Sequence, residues 1–345
     1  DLLFVGHTHG DGDTNVEALY GDAGDYRELA DFVQSHDLAV LENYAAVEAR
    51  LDSDRLIDYI IVESYAGNTS WHRNRKVWRA QPPADRWDFL VYDLDRSFGH
   101  PYTNTLQDIM SLDPLTGALL SNETFKNQFI QRFAHHLNVT FEPERMVSLV
   151  DGLAEVIAPE IERHRAFWPV EAWWAEHYLG EALHNGRPAI AELPAWQDEV
   201  AIIQQFVRDR PPALRQHLVE TFSLSGTQFL TLAVSRPEGG HILVDGLSLP
   251  DTPFTGVYFR DVPLPLTAVA EPGYRFVGWQ GAMTSGEETV FLLLTSNETI
   301  TAVFEPIGPP FSWLDPRQPR SWVAGLLLLL ALIALLQFAR RRYRR

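Results

Sequence analysis

GNTSWHRNRKVWRAQPPADRWDFLVYDLDRSFG, residues Gly67 to Gly99, gathers polar and charged side chains in a pattern that a plain hydrophobic core does not need. Trp87 to Tyr92 is an apolar, β-prone run, and it predicts a buried strand that delivers Asp93 and Asp95 at its end. Carboxylates at i and i+2 leave an extended chain on one side. Two such groups repel, so the pair favours a bound divalent cation or a neighbouring cation such as Arg96. An ion-paired turn that closes the strand accounts for the same three residues.

Outward from this stretch the pattern is mostly helical. Tyr26, Leu29, Phe32 and Val33 recur at helical spacing between Asp25 and Gln34, and Asp54 to Tyr65 predicts an apolar buried helix. His100 to Asp113 reads as a polar loop. Ser121 or Asn122 is placed to cap a helix bearing Phe125, Phe129, Ile130 and Phe133, and Glu142 to Trp168 is helical with a break near Pro159. A further helix runs from Pro194 to Val207, and Pro211 with Pro212 predicts a break before Leu214 to Phe222. His135, His136 and His164 are expected on helix surfaces.

Composition changes near Ser225. FLTLAV, HILVDG, GVYFRD, PLTAVA, YRFVGW, TVFLLL and ITAVFE are short, β-rich and separated by Gly, Pro, Asn and Asp, which predicts a small antiparallel domain over 226–305 with Trp279 in its core. A Pro-rich stalk follows over 306–321. Residues 322–339 form an apolar run close to the roughly 20 residues that span a bilayer, and a basic tail closes the chain at 340–345. That order predicts a single-pass membrane protein, with the bulk extracytoplasmic, the C-terminus cytoplasmic, and sorting-signal cleavage as an alternative to permanent anchoring.

Acidic residues number 46 against 28 basic ones, and five of the basic ones lie in the last six positions. The body therefore repels nucleic acid, which excludes sequence-independent DNA binding. With no Cys, the chain has no disulfide, thiolate metal site or Cys nucleophile.

Taken together, Asn68, Trp71, Asn74, Trp78, Arg79, Trp87, Asp93, Asp95, Phe98 and Gly99 resemble the CotH kinase family, atypical kinases similar to spore coat protein H. GDAGDYRELADFV, LDSDRLIDYIIVESY and RDRPPALRQHL also look like family landmarks, so the resemblance spans about residues 15 to 225. GYRFVGWQG is similar to the divergent InlB-type bacterial repeat. The implied fold is α+β: a mostly helical kinase-like C-terminal lobe over 1–225, then the β domain and the transmembrane helix.

The resemblance implies ATP and Mg²⁺, with transfer of the γ-phosphoryl group to Ser or Thr of a surface or coat protein. Asp93 would hold Mg²⁺, with Asp95 as second candidate and Asn74 as auxiliary ligand. The family's catalytic-turn Asp falls on Ser70, whose hydroxyl cannot act as a general base. His72, Arg73, Arg75 and Lys76 crowd that turn; Arg73, Arg75 or Lys76 would contact phosphates, or pair with nearby acids. The chain opens at Asp1 without an initiator Met, and neither a Gly-rich loop nor a nucleotide-binding Lys precedes the turn, so an N-terminal lobe is expected upstream in a longer precursor.

Two other readings stay open. A non-catalytic scaffold or adhesion protein fits Ser70. A metal-dependent hydrolase fits GHTHGDGD, where His7, His9 and Asp11 reproduce a His-x-His-x-Asp pattern suited to zinc, although Gly12 stands where that pattern wants a His.

Overall fold

The computed structural model describes residues 2–8, 16–21, 23–80, 86–167 and 193–308, the first two segments as backbone strands. The strands β1 (Leu2–Thr8) and β2 (Val16–Gly21) form an antiparallel hairpin. β3 (Arg75–Ala80) pairs with β1, and β4 (Asp88–Leu90) with β3, giving a sheet in the order β2-β1-β3-β4. Of these strands β4 is the one that falls within the expected run Trp87 to Tyr92. Thr8 lies opposite Arg75 and Leu2 opposite Ala80.

The described helices are α1 (Gly24–Ser35), α2 (Leu41–Glu48), α3 (Ser53–Ala66), which packs on β4, α4 (Thr105–Leu112), α5 (Pro114–Leu119), α6 (Glu123–Asn138), α7 (Pro143–Ile157), α8 (Ile161–Phe167) and α9 (Leu193–Phe222). The helix α3 starts at Asp52, whose carboxylate accepts from the Arg55 N–H, and it buries Leu56, Ile57, Ile60, Ile61 and Tyr65. Asn122 caps α6 through the N–H groups of Thr124 and Phe125, and Phe125, Phe129, Ile130, Phe133 and Leu137 form its buried stripe. A single turn of 3₁₀ helix, Ala158–Glu160, separates α7 from α8 beside Pro159.

The helix α9 runs unbroken through Pro211 and Pro212. Proline's fixed φ is compatible with a helix, but each interior proline removes an N–H donor and crowds the carbonyl four residues back, at a cost of about 3 kcal/mol. Burial of Phe206, Val207, Arg210, Pro211, Ala213, Leu214 and Leu218 holds the path. Within the expected polar loop His100 to Asp113 sits α4, capped by the Asn104 side chain on the Gln107 N–H.

Among the described residues no helix is long and apolar enough to cross a membrane, so the expected single-pass membrane topology and the localisation drawn from it are corrected to no membrane-crossing helix among those residues. Even α9, at 30 residues, carries Asp198, Glu199, Arg208, Asp209, Arg210, Arg215 and Glu220. The run 322–339, the tail and most of the stalk lie outside the described residues.

All seven expected β segments form strands: β5 (Thr227–Val234), β6 (Gly240–Val244), β8 (Phe254–Phe259), β9 (Leu264–Ala270), β10 (Tyr274–Gly281), β11 (Thr289–Leu292) and β12 (Glu298–Pro306), joined by the short β7 (Leu247–Ser248). They build two sheets, β10-β12-β5-β8 and β11-β9-β6-β7. The domain is not wholly antiparallel, because its first strand β5 and last strand β12 pair in parallel. Such a pair needs a long crossover, and the five intervening strands besides the short β7 supply it. Trp279 is buried between the sheets, its indole N–H donating to the Glu287 carbonyl at 3.0 Å.

The helical lobe and the β domain are stitched together along α6. Asn138 Nδ2 donates to the Val257 carbonyl at 2.9 Å, and its Oδ1 accepts from the Val257 N–H at 3.0 Å and from Arg215 Nη2 at 2.8 Å. One amide thereby does for the β8 edge what a neighbouring strand would do. Gly256 permits the approach, since a Cβ there would come within 2.8 Å of Asn138 Nδ2. Gln131 Nε2 donates to the Val262 carbonyl at 2.7 Å. His135 and His136 are not on the surface: His135 is buried at this seam, where burial and then the His136 charge depress its pKa to about 4. His136 meets Asp58, which Arg132 grips through Nε at 2.6 Å and Nη2 at 2.8 Å. Replacing Asn138 by Ala strands three polar groups, so urea denaturation should register a loss of about 2 kcal/mol. A loss within about 0.5 kcal/mol would mean water satisfies them instead.

Candidate functional site

The catalytic-like turn begins where α3 ends. Gly67, at φ 65°, is the left-handed residue that stops the helix, and the N–H groups of Gly67 and Asn68 bond back to the Ser64 and Glu63 carbonyls. Asn68 is buried and works in two directions. Its Nδ2 donates to Glu63 Oε2 at 2.9 Å, while its Oδ1 accepts from the Ser70 N–H at 2.9 Å and from Ser70 Oγ at 3.0 Å. Asn74 Nδ2 reaches Ser70 Oγ at 3.4 Å. Ser70 is itself only 7% exposed.

The second segment is fastened against the first. The Arg96 carbonyl accepts from the Thr69 N–H at 3.3 Å and its Oγ1 at 3.2 Å, and the Phe98 N–H donates to the Ala66 carbonyl at 2.8 Å. Asp93 and Phe98 both sit at φ 58°, an unusual conformation for side chains of their size. The chain is therefore not extended at Asp93; β4 ends at Leu90, and Val91 and Tyr92 are exposed rather than buried. Asp93 and Asp95 are exposed. Neither is in an ion pair among the described residues. Phe98 turns inward, edge to face with Phe206 of α9 at 5.4 Å.

One residue of α9 clamps the whole arrangement. Arg210 is fully buried, and its guanidinium donates to the carbonyls of Ser64, Tyr65 (2.9 Å), Pro101 and Thr103 (2.8 Å). Two of these acceptors lie in the last turn of α3, where carbonyls run short of helical partners, Ser64 having only the Gly67 N–H besides, and where a cation meets the negative end of the dipole. The other two belong to the loop after Gly99. Burial lowers the Arg210 pKa to about 10, so the group stays charged.

The three candidate phosphate-binding cations differ in their surroundings. Arg75 is held by Asp113 at 2.7 Å and by the Tyr26 hydroxyl at 3.2 Å, over the Trp71 ring. Asp113 simultaneously caps α5 through Leu115 and Thr116. Lys76 Nζ sits 3.2 Å above the Tyr92 ring centroid, one residue from Asp93. Arg73 is exposed, its Nε donating to His72 Nε2 at 3.2 Å. Of the alternative metal motif, His7 lies on β1 opposite Lys76, while His9 and Asp11 fall outside the described residues.

Glu63 and Arg210 escaped the sequence reading. Burial pushes the Glu63 carboxyl up to about 7, against the Asn68 hydrogen bond that holds it down. The only local signal was a Glu inside an otherwise apolar helix run, IIVESY. Arg210 stood only inside the landmark RDRPPALRQHL, with no role of its own.

Comparison with known proteins gives two matches. The family model for CotH kinase protein covers residues 6–214, and that for the Divergent InlB B-repeat domain covers residues 230–308. No curated protein matches the chain. The resemblance drawn from Asn68 to Gly99 and from GYRFVGWQG is borne out in both parts, and residues 6–214 place the chain in the CotH kinase protein family, with a divergent InlB B-repeat domain behind it.

Proposed function

We propose that the chain transfers the γ-phosphoryl group of ATP to a Ser or Thr hydroxyl of a protein substrate. Family membership suggests ATP-dependent phosphotransfer in general. The observation that carries the finer reading is the lacing of the Asn68 to Asn74 turn to the Asp93 to Gly99 segment through Arg96 and Phe98. Phosphoryl transfer needs positioning and charge neutralisation more than covalent help from the protein, and this lacing ties the turn to the segment that carries Asp93 and Asp95.

The residues fit Mg²⁺ bound with a nucleotide. Mg²⁺ takes one or two carboxylates and completes its shell with water and phosphate oxygens. Asp93 and Asp95 offer exposed carboxylates outside ion pairs, with Asn74 as a further oxygen donor. Among the described residues no group of three or more His, Asp or Glu is placed to hold a metal by protein ligands alone. Bound there, the ion would neutralise charge developing on the phosphates. Lys76 and Arg73 are the cations placed to meet phosphate; Arg75, held by Asp113, would act by fixing β3 at the turn. Incubating the chain with radiolabelled ATP, Mg²⁺ and a Ser/Thr-rich protein acceptor tests the reading. Asp93→Asn should lower transfer by about 100-fold while leaving the melting temperature unchanged, as suits an exposed residue. Equal transfer by the two proteins rejects Asp93 as the metal carboxylate.

A second reading, a non-catalytic scaffold, is favoured by Ser70 standing where the family pattern has Asp. No nucleotide-induced thermal shift with Mg²⁺ would leave that reading in possession.

A further inference from the structure

Behind the turn lies a carboxylate that the reading above does not use. Glu63 is 1% exposed, and no cation pairs with it among the described residues. Its Oε2 accepts the Asn68 side-chain N–H, so the Asn68 oxygen is turned toward Ser70. A hydroxyl has one hydrogen and two lone pairs. Because Asn68 Oδ1 is acceptor only, the Ser70 hydrogen is committed to it, and Asn74 Nδ2 donates to the same Oγ from another side. What remains on Ser70 Oγ is a lone pair.

We infer that Glu63 is a positioning residue that acts through Asn68 to hold Ser70 Oγ as a hydrogen-bond acceptor for the incoming substrate alcohol. Resting on the phosphotransfer reading, this gives Ser70 the orienting half of a carboxylate's role without the basic half. The alcohol O–H donates to Ser70 Oγ, and the alcohol oxygen forms a bond to the γ-phosphorus. The bond from that phosphorus to the β,γ-bridging oxygen breaks, its electron pair leaving with the nucleoside diphosphate. The alcohol proton departs late, to a phosphoryl oxygen and then to water, so Ser70 is unchanged. A loose transition state places little charge on the nucleophile, and little is lost by leaving that proton in place.

The test compares wild type, Glu63→Gln, Glu63→Met, Ser70→Ala and the Glu63→Met/Ser70→Ala double variant of the full chain, with ATP, Mg²⁺ and a Ser-containing protein acceptor. Gln keeps an acceptor for the Asn68 amide, so its kcat should stay within about threefold of wild type, whereas Met should lower kcat about tenfold with KM for ATP unchanged. In the double variant the Met change should add nothing to the loss from Ser70→Ala. Multiplying losses, or a Gln variant as slow as the Met variant, overturns the inference. If wild type transfers no phosphate, the phosphotransfer reading fails, and the same cycle is read in melting temperature. A Glu63→Met shift that shrinks by about half or more in the Ser70→Ala background keeps the linkage of Glu63 to Ser70, and an unchanged shift removes it.

Discussion

Arg210→Leu should lower the unfolding free energy by at least about 3 kcal/mol, seen as a lower urea midpoint at unchanged slope. Leucine relieves the burial of a charge, and swapping a whole buried ion pair for apolar groups is often neutral. Here only one side of the interaction leaves. Ser64 keeps the Gly67 N–H, but the buried Tyr65 carbonyl and the partly buried carbonyls of Pro101 and Thr103 stay in place without their donor, and a polar group buried unpaired costs about 1–3 kcal/mol. Arg210→Lys should fall between the two, since an ammonium lacks the planar fork that spans four acceptors. Arg208→Leu, two residues away and exposed, is the control and should stay within about 0.5 kcal/mol. A loss below about 1 kcal/mol for Arg210→Leu would show that the α3 terminus and the loop after Gly99 are held by something else.

Glu63→Gln should make the protein more stable at pH 8, by up to about 3 kcal/mol, and little changed at pH 4.5. The sign follows from proton counting. Burial raises the folded carboxyl to about 7, while the unfolded chain titrates near the ordinary Glu value of about 4.3. Across that window the folded protein holds a proton that the unfolded chain has released, so stability falls as pH rises. Asp245, also raised to about 7 by burial, pulls the same way at the seam between lobe and β domain. Asp58 pulls oppositely: although burial resists, Arg132 and His136 hold its pKa below the usual range, giving stability that is lost as acid protonates it. Equal stability gains at pH 4.5 and pH 8 for Glu63→Gln would show that Glu63 titrates normally.

Much of the fold could be read because it is written locally. Tyr26, Leu29 and Val33 mark the buried face of α1, Asn122 announces α6, and the alternating runs of the β domain each became a strand. What could not be read depends on partners far along the chain. Two prolines predict a break, and only packing against the rest of the lobe keeps α9 whole. Parallel pairing of β5 with β12 leaves no trace in either strand. In the site, Asn68, Ser70 and Asn74 were visible as a motif and are joined by hydrogen bonds. The placing of Asp93 and Asp95 was read as strand alternation, yet the backbone is left-handed at Asp93 and again at Phe98. Arg210 meets its acceptors across more than 100 residues of sequence, a relation that no spacing encodes.

The amide of Asn138 has a consequence for how the protein fails. A strand edge with open N–H and C=O groups is a template for another chain, and β8 is sealed at Val257 by a side chain from the lobe rather than by a strand. Melting the lobe while the β domain survives unseals that edge. Colloidal stability of the β domain is thus set by α6, and the partly unfolded species with an intact sheet is the one primed to associate with its own kind.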